Sequence, residues 1–332
     1  MKGNTKTALV TGGAGFVGSS LCETLLDDGY EVYAVDNFIT GRRENLADLS
    51  RNKKFHFREL DINTPAFLEE FRLSSLAEIY HLACPTGVPN IKTLGEEMLL
   101  TCSLGTRNAL EVAKVAGAKI LFSSSCEVYG EPEVSPQYEH YTGNVSSTGP
   151  RSAYEEGKRF SESLFILYHR KYQVDTRIVR IFNTYGPRMS LSDQRVIPRF
   201  LRSMTLGQKL TLYGDGEQIR THLFVADLIR GLRLVMADGI TGEVYNVGGT
   251  RQVTIRELAE LLMALADYEL GVEFLPHFIE DHSYRLPAVE KLEALGWRPE
   301  VSLEEGLRRM LLHHGLSREV VPVADLAFDE AA

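Results

Sequence analysis

Long apolar runs are missing from this chain. None approaches the ~18 residues a helix needs to cross a bilayer, so no membrane span is expected. Cysteine is scarce: Cys22, Cys84, Cys102 and Cys126 are the four in 332 residues. Their spacing matches no zinc pattern, and four are too few for a disulfide scaffold in a chain of this length. His140, His222, His277 and His282 have no partner spacing that suggests a metal, so no metal site is expected. Basic residues are outnumbered, 36 Lys and Arg against 45 Asp and Glu, for a formal net charge of −9. That balance argues against a nucleic-acid surface, which needs clustered positive charge. The segment before Thr7 carries no signal-peptide core. Taken together these absences lead to the expectation of a cytoplasmic protein. No internal repeat or low-complexity linker is present either.

What is present is a βαβ rhythm. Short β-branched runs at Thr7–Thr11, Glu31–Val35, Phe55–Glu59, Glu78–Ala83, Lys119–Ser123 and Thr176–Ile181 read as strands. Helical periodicity at 16–28, 66–73, 96–116 and 153–172 separates most of them. Alternation of this kind predicts an α/β fold with a Rossmann-like, doubly wound parallel sheet, its ligands at the C-terminal ends of the strands. After Pro187 the rhythm changes. Helical patterns at 192–206, 225–237, 254–267, 288–295 and 303–313, with a short strand at Leu210–Tyr213, predict a smaller α/β lobe over 188–315 for binding substrate. Segments around 223–247 are expected to return to the first domain, residues 1–187. Residues 316–332 form an acidic tail, expected to fray.

Gly12-Gly-Ala-Gly15-Phe16-Val17-Gly18 follows the first strand and opens a helix. In that context the glycines allow a tight turn and close approach of backbone to a pyrophosphate, which a helix N-terminus favours. Asp36 ends the second strand, and a carboxylate there accepts ribose hydroxyls and repels a 2′-phosphate. The expected cofactor is therefore NAD, although Arg42 and Arg43 are near enough in sequence to favour NADP instead. Asn37 beside Asp36, Asp61 and Ile62 after the third strand, and Leu82 and Ala83 after the fourth, complete the expected cofactor set. Cys84 extends that last wall.

Ser125, Cys126 and Glu127 follow the apolar run Ile120-Leu121-Phe122, and Tyr154 and Lys158 share a helical face at i and i+4. A free tyrosine titrates near ~10. A neighbouring ammonium and a cationic cofactor favour the phenolate, which can then take a proton from a substrate hydroxyl. Ser125 is placed to hold the same oxygen, and Lys158 the nicotinamide ribose. Glu127 and Cys126 add a carboxylate and a thiol.

These motifs resemble the extended short-chain dehydrogenase/reductases of the nucleotide-sugar epimerase/dehydratase group, over nearly the whole chain to about Gly315. The resemblance rests on the glycine loop, His81-Leu-Ala-Cys-Pro85, Glu127-Val-Tyr-Gly130, Gly149-Pro-Arg-Ser-Ala-Tyr154-Glu-Glu-Gly-Lys158-Arg159, Ile181-Phe-Asn-Thr-Tyr-Gly-Pro-Arg-Met189 and Leu212-Tyr-Gly-Asp-Gly216. Within the group, the segments around Tyr154 and Asn183 are most similar to UDP-glucuronate decarboxylases, the UDP-xylose synthases. The resemblance implies oxidation of the sugar at C4 with Tyr154 as base, loss of CO₂ from the resulting β-keto acid, and UDP-xylose or UDP-4-keto-xylose as product. It implies Pro85, Asn183, Arg188, Tyr213 and Arg220 as substrate contacts, and Arg285 as the partner of the sugar carboxylate. His81 is implied to be structural.

The chain departs from the decarboxylases at three places: Ser125-Cys126-Glu127 replaces Thr-Ser-Glu, Ile91-Lys-Thr-Leu-Gly95 replaces Tyr-x-Tyr-Asn-Pro, and Ala288 replaces an acidic residue. A Cys-Glu pair is also similar to the acid/base pairs of 4,6- and 5,6-dehydratases, which make dehydration of an NDP-hexose the second reading. A simple 4-epimerase comes third. A non-catalytic NAD-binding regulator is a fourth possibility, opposed by intact Ser125, Tyr154 and Lys158. Leu99, Leu100, Leu104, Leu164, Phe165 and Leu167 supply apolar surface on more than one helix face. Through those helices members of the group pair, so a homodimer is expected.

Overall fold

The computed structural model describes residues 5–71, 75–276 and 285–317. His277, His282, the tail from residue 318 and the last residues of the helix expected at 66–73 lie outside them. The first half runs β1 (Thr7–Thr11), α1 (Phe16–Asp27), β2 (Glu31–Asp36), β3 (Phe55–Glu59), α2 (Pro65–Phe71), β4 (Glu78–His81), α3 (Val88–Thr93), α4 (Gly95–Leu100), α5 (Thr106–Ala116), β5 (Lys119–Ser125), α6 (Ser152–Tyr172) and β6 (Thr176–Ile181). The second half runs β7 (Thr184–Tyr185), α7 (Val196–Thr205), β8 (Leu210–Tyr213), β9 (Ile219–Thr221), β10 (Leu223–Phe224), α8 (Val225–Asp238), β11 (Glu243–Val247), β12 (Gln252–Thr254), α9 (Ile255–Ala266), β13 (Val272–Leu275), α10 (Glu290–Glu293) and α11 (Leu303–His313).

Seven strands form one parallel sheet in the order β11-β6-β5-β4-β1-β2-β3. Its strands are apolar on both faces because helices cover both. Along β5, Ile120 and Phe122 face one core and Leu121 the other; along β1, Leu9 and its neighbours Ala8 and Val10 divide likewise. The core beneath α1 and α8 continues without a break into Phe200, Leu212, Leu258 and Leu307 of the second half. The strand order reverses between β1 and β4, which opens a crevice at their C-terminal ends.

The helix expected over 96–116 is present and runs without interruption from Gly95 to Ala116, with one turn of it, Thr101–Gly105 between α4 and α5, widened to a π-helix. Two side-chain hydrogen bonds meet the carbonyls of the π turn. The Cys102 carbonyl accepts from Ser161 Oγ at 2.7 Å, and Thr106 Oγ1 reaches back five residues to the Thr101 carbonyl. Phe165, expected on an open face, is fully buried in the core, whereas Leu99, Leu100, Leu104 and Leu167 are exposed.

Candidate active site

A cleft of about 480 Å³ opens over the C-terminal ends of the sheet, within the size range of small-molecule sites. One end is built by the glycine turn. Gly12 has φ +73°, and a Cβ there would stand 2.9 Å from the Ala83 nitrogen. The loop is therefore pressed against the strand that follows, with no room for a side chain. α1 begins with no side-chain cap, and Gly15, Phe16, Val17 and Gly18 at its start line the cleft, where a helix N-terminus favours an anion.

Asp36 is held by backbone amides, accepting from Ala14 at 3.0 Å and Phe38 at 2.8 Å. Burial raises its carboxyl pKa and these amides oppose the shift. Asn37, Asp61, Ile62, Leu82 and Ala83 border the same end. Arg43 stacks over Phe38 and donates to Glu59 at 2.7 Å, whereas Arg42 lines the cleft. A glycine cradle, open helix amides and an ordered acidic residue at the end of β2 form a donor and acceptor set that fits an adenine dinucleotide.

At the other end, Ser125, Cys126, Glu127, Tyr154 and Lys158 all line the cleft, together with Arg151 and Arg285. β5 delivers Ser125, whose Oγ accepts from the Glu127 amide at 3.3 Å and starts a single 3₁₀ turn, Cys126–Tyr129. α6 delivers Tyr154 and Lys158 from its first two turns, and Arg151 is the residue at its N-cap. Lys158 is buried and donates to the Ser123 carbonyl at 2.8 Å. Burial works against its charge, but Cys84, Tyr154, Cys102 and Glu162 outweigh that and raise its pKa. Burial also pushes the Tyr154 phenol up to about 12, with Lys158 and the hydrogen bond with Ser125 pulling down. Lys158 therefore acts in the expected direction, against a larger opposing effect of burial.

Glu127 is the electrostatic centre. Its Oε2 accepts from Arg151 at 2.5 Å, and Arg285 Nη2 lies 2.7 Å from Oε1. Arg151 also donates to Glu155 at 3.1 Å. Arg151 is a site residue that the sequence motif carries without marking; its place three residues before Tyr154, at the start of α6, is the available signal. Cys126 sits with Val128, Tyr129 and Phe182 in a small apolar cluster, and burial pushes its thiol up to about 12.

Of the expected substrate contacts, Pro85 and Asn183 line the cleft. Arg188 borders it too, but turns its guanidinium to Glu23 at 2.8 Å and the Ser19 carbonyl. Tyr213 and Arg220 lie outside this lining. Tyr213 stacks beneath Arg199, and Arg220 is buried on β9, donating to the Ile219 carbonyl. His81 is buried and bonds Thr11 at 2.9 Å and Thr106 at 3.0 Å, tying β1 to α5. Burial lowers it to about 3, which keeps it neutral. Among the described residues, no group of three or more His, Cys, Asp or Glu could hold a metal, and no helix is long and apolar enough to cross a membrane.

The sequence pattern of the NAD dependent epimerase/dehydratase family matches residues 8–248. The chain is 44% identical over 304 residues to UDP-glucuronic acid decarboxylase 1 of Arabidopsis thaliana, covering 91% of this chain and 68% of that protein. It is 40% identical over 324 residues to UDP-glucuronic acid decarboxylase 1 of Danio rerio, covering 96% and 76%. The solved dTDP-glucose 4,6-dehydratase of Streptomyces venezuelae, with NAD and TYD bound, superposes with a TM-score of 0.85 at 31% identity, covering 94% of this chain and 98% of that one.

Proposed function

The chain belongs to the NAD dependent epimerase/dehydratase family, and from that premise we propose that it is an NAD-dependent carboxy-lyase that converts UDP-glucuronate to UDP-xylose or UDP-4-keto-xylose. The observation that carries the reading is the pair of guanidiniums, Arg151 and Arg285, converging on one carboxylate in the cleft. A substrate uronate needs such a partner, since a guanidinium grips a carboxylate through two parallel hydrogen bonds.

Bound at the glycine turn, NAD supplies the hydride acceptor and donor for C4 of the sugar. Gly12, Gly15, Phe16, Val17 and Gly18 hold its diphosphate, Asp36 and Asn37 a ribose, Asp61 and Ile62 the adenine, and Leu82 and Ala83 the adjoining wall. Tyr154 Oη takes the proton of the C4 hydroxyl and later returns it, with Ser125 Oγ on the same oxygen. Lys158 fixes a positive charge beneath Tyr154 and draws its pKa down. A ketone at C4 makes the uronate a β-keto acid, so Arg285 has only to hold the carboxylate until CO₂ leaves. Pro85 and Asn183 contact the nucleotide sugar from the cleft wall, and Arg188 borders it.

The dehydratase reading asks Cys126 to donate a proton and Glu127 to accept one. A thiol raised to about 12 among apolar neighbours is a poor donor at neutral pH, and Glu127 is committed to two arginines. Cys126→Ser is therefore expected to keep CO₂ release from UDP-glucuronate within about fivefold of the parent, a change of about 1 kcal/mol. A loss of ~100-fold, measured by NMR of the products, would restore the acid/base pair.

The same proposal includes a homodimer and a cytoplasmic setting. Leu99, Leu100, Leu104, Phe160 and Leu167 form an exposed apolar strip along α4, the π turn and α6, of the kind that marks an interface. Phe160→Glu, combined with Leu104→Glu, should convert a dimer to monomer by analytical ultracentrifugation; a parent protein already monomeric at micromolar concentration rejects the assignment. All four cysteines are free, which suits a reducing compartment.

A further inference from the structure

Cys84 and Cys102 take no part in the proposed reaction, yet their sulfurs stand 3.7 Å apart. Cys84 follows β4, is half-buried and lines the cleft. Cys102 is buried behind it in the π turn, where a Cβ at Gly157 would meet its sulfur at 3.3 Å. The π turn carries this thiol at the point where the helix passes Cys84. We propose that Cys84 and Cys102 are a redox-active dithiol, a modification site for small-molecule disulfides that enter through the cofactor cleft.

Three features support this. The sulfurs need to close only from 3.7 Å to a bond length of about 2.0 Å. The hydrogen bond between them favours one thiolate held by one thiol; it brings Cys102 down to about 7, pushes Cys84 up, and Lys158 draws both down. The pair's resting thiolate is thus on Cys102, and the cleft-facing Cys84 becomes the attacking thiolate by passing its proton to Cys102 across the 3.7 Å contact. Neither of the other two cysteines combines these features. Cys22 is fully buried in the core, and Cys126 is pushed up by burial and has no sulfur neighbour among the described residues.

The chemistry balances as thiol–disulfide exchange. Cys84 thiolate attacks one sulfur of the reagent and expels the other half as a thiolate, which takes up the first proton. Cys102 then attacks Cys84, gives up the second proton, and expels the remaining half. One S–S bond forms in the protein, one breaks in the reagent, and the reagent leaves as two thiols.

The test uses the native full chain treated with oxidised glutathione and read by mass spectrometry. The expected product has lost the mass of two hydrogens, yields a peptide pair linked through Cys84 and Cys102, and reverts with a thiol reductant. Cys102→Ala should instead retain one half of the reagent on Cys84. NAD at a hundred times its Kd should slow the modification about 100-fold, in proportion to the remaining free cleft. Failure to recover the linked peptides overturns the proposal, as does modification of Cys22 or Cys126 at the same rate. An unchanged rate with NAD overturns the route through the cleft. None of these readouts depends on which sugar the enzyme converts.

Discussion

Tyr154→Phe should lower CO₂ release from UDP-glucuronate by about 10²–10⁴-fold, the worth of a positioned proton-transfer group, while NAD binding, followed by fluorescence titration, stays near the parent value. The phenol lines the cleft with Ser125 and Lys158, so removing one oxygen leaves the ring and its packing in place. A companion variant fixes the sign of the pH dependence. Burial holds the Tyr154 proton and Lys158 loosens it, so the rate is expected to rise with pH as phenolate forms. Lys158→Met removes the cation, raises the tyrosine pKa further and should move that rising limb to higher pH at saturating NAD. Turnover by Tyr154→Phe within tenfold of the parent excludes Tyr154 as the base. A limb that stays in place in Lys158→Met excludes the electrostatic role of Lys158.

Six of the sheet's seven strands were legible because they announce themselves locally, whereas β11, Glu243–Val247, was legible only as part of a segment returning to the first domain. Thr7–Thr11, Phe55–Glu59 and Thr176–Ile181 are apolar or β-branched runs whose bounds in the structure agree with the sequence. The glycine turn was legible for the same reason: its chemistry is contained in seven consecutive residues. What escaped depends on distant partners. The π turn at Thr101–Gly105 is held by Ser161, 59 residues from Cys102, and no local pattern encodes that bond. Arg151 reads as a helix-start residue until Glu127, 24 positions earlier, is seen against it. The strength with which burial holds the Tyr154 proton against the pull of Lys158 was not legible either, because desolvation is a property of the packed site.

Arg285→Met should produce the second large loss, and a more selective one. Truncating one partner of a desolvated charge pair costs about 2–5 kcal/mol, equivalent to about 30-fold to several thousand-fold in kcat/KM at ~1.4 kcal/mol per decade. Methionine keeps most of the stem's length without the charge, and Glu127 retains Arg151, so the buried carboxylate is not left without a cation. The loss should therefore appear in handling the sugar carboxylate and spare the nucleotide sites. Inhibition by UDP and the affinity for NAD are expected to remain within about fivefold, or about 1 kcal/mol. Arg285→Lys should recover only part of the rate, because an ammonium supplies the charge without the planar fork. If Arg285→Met released CO₂ as fast as the parent, the carboxylate would have to be held elsewhere. Arg151, the other guanidinium on Glu127, would then be the next residue to replace.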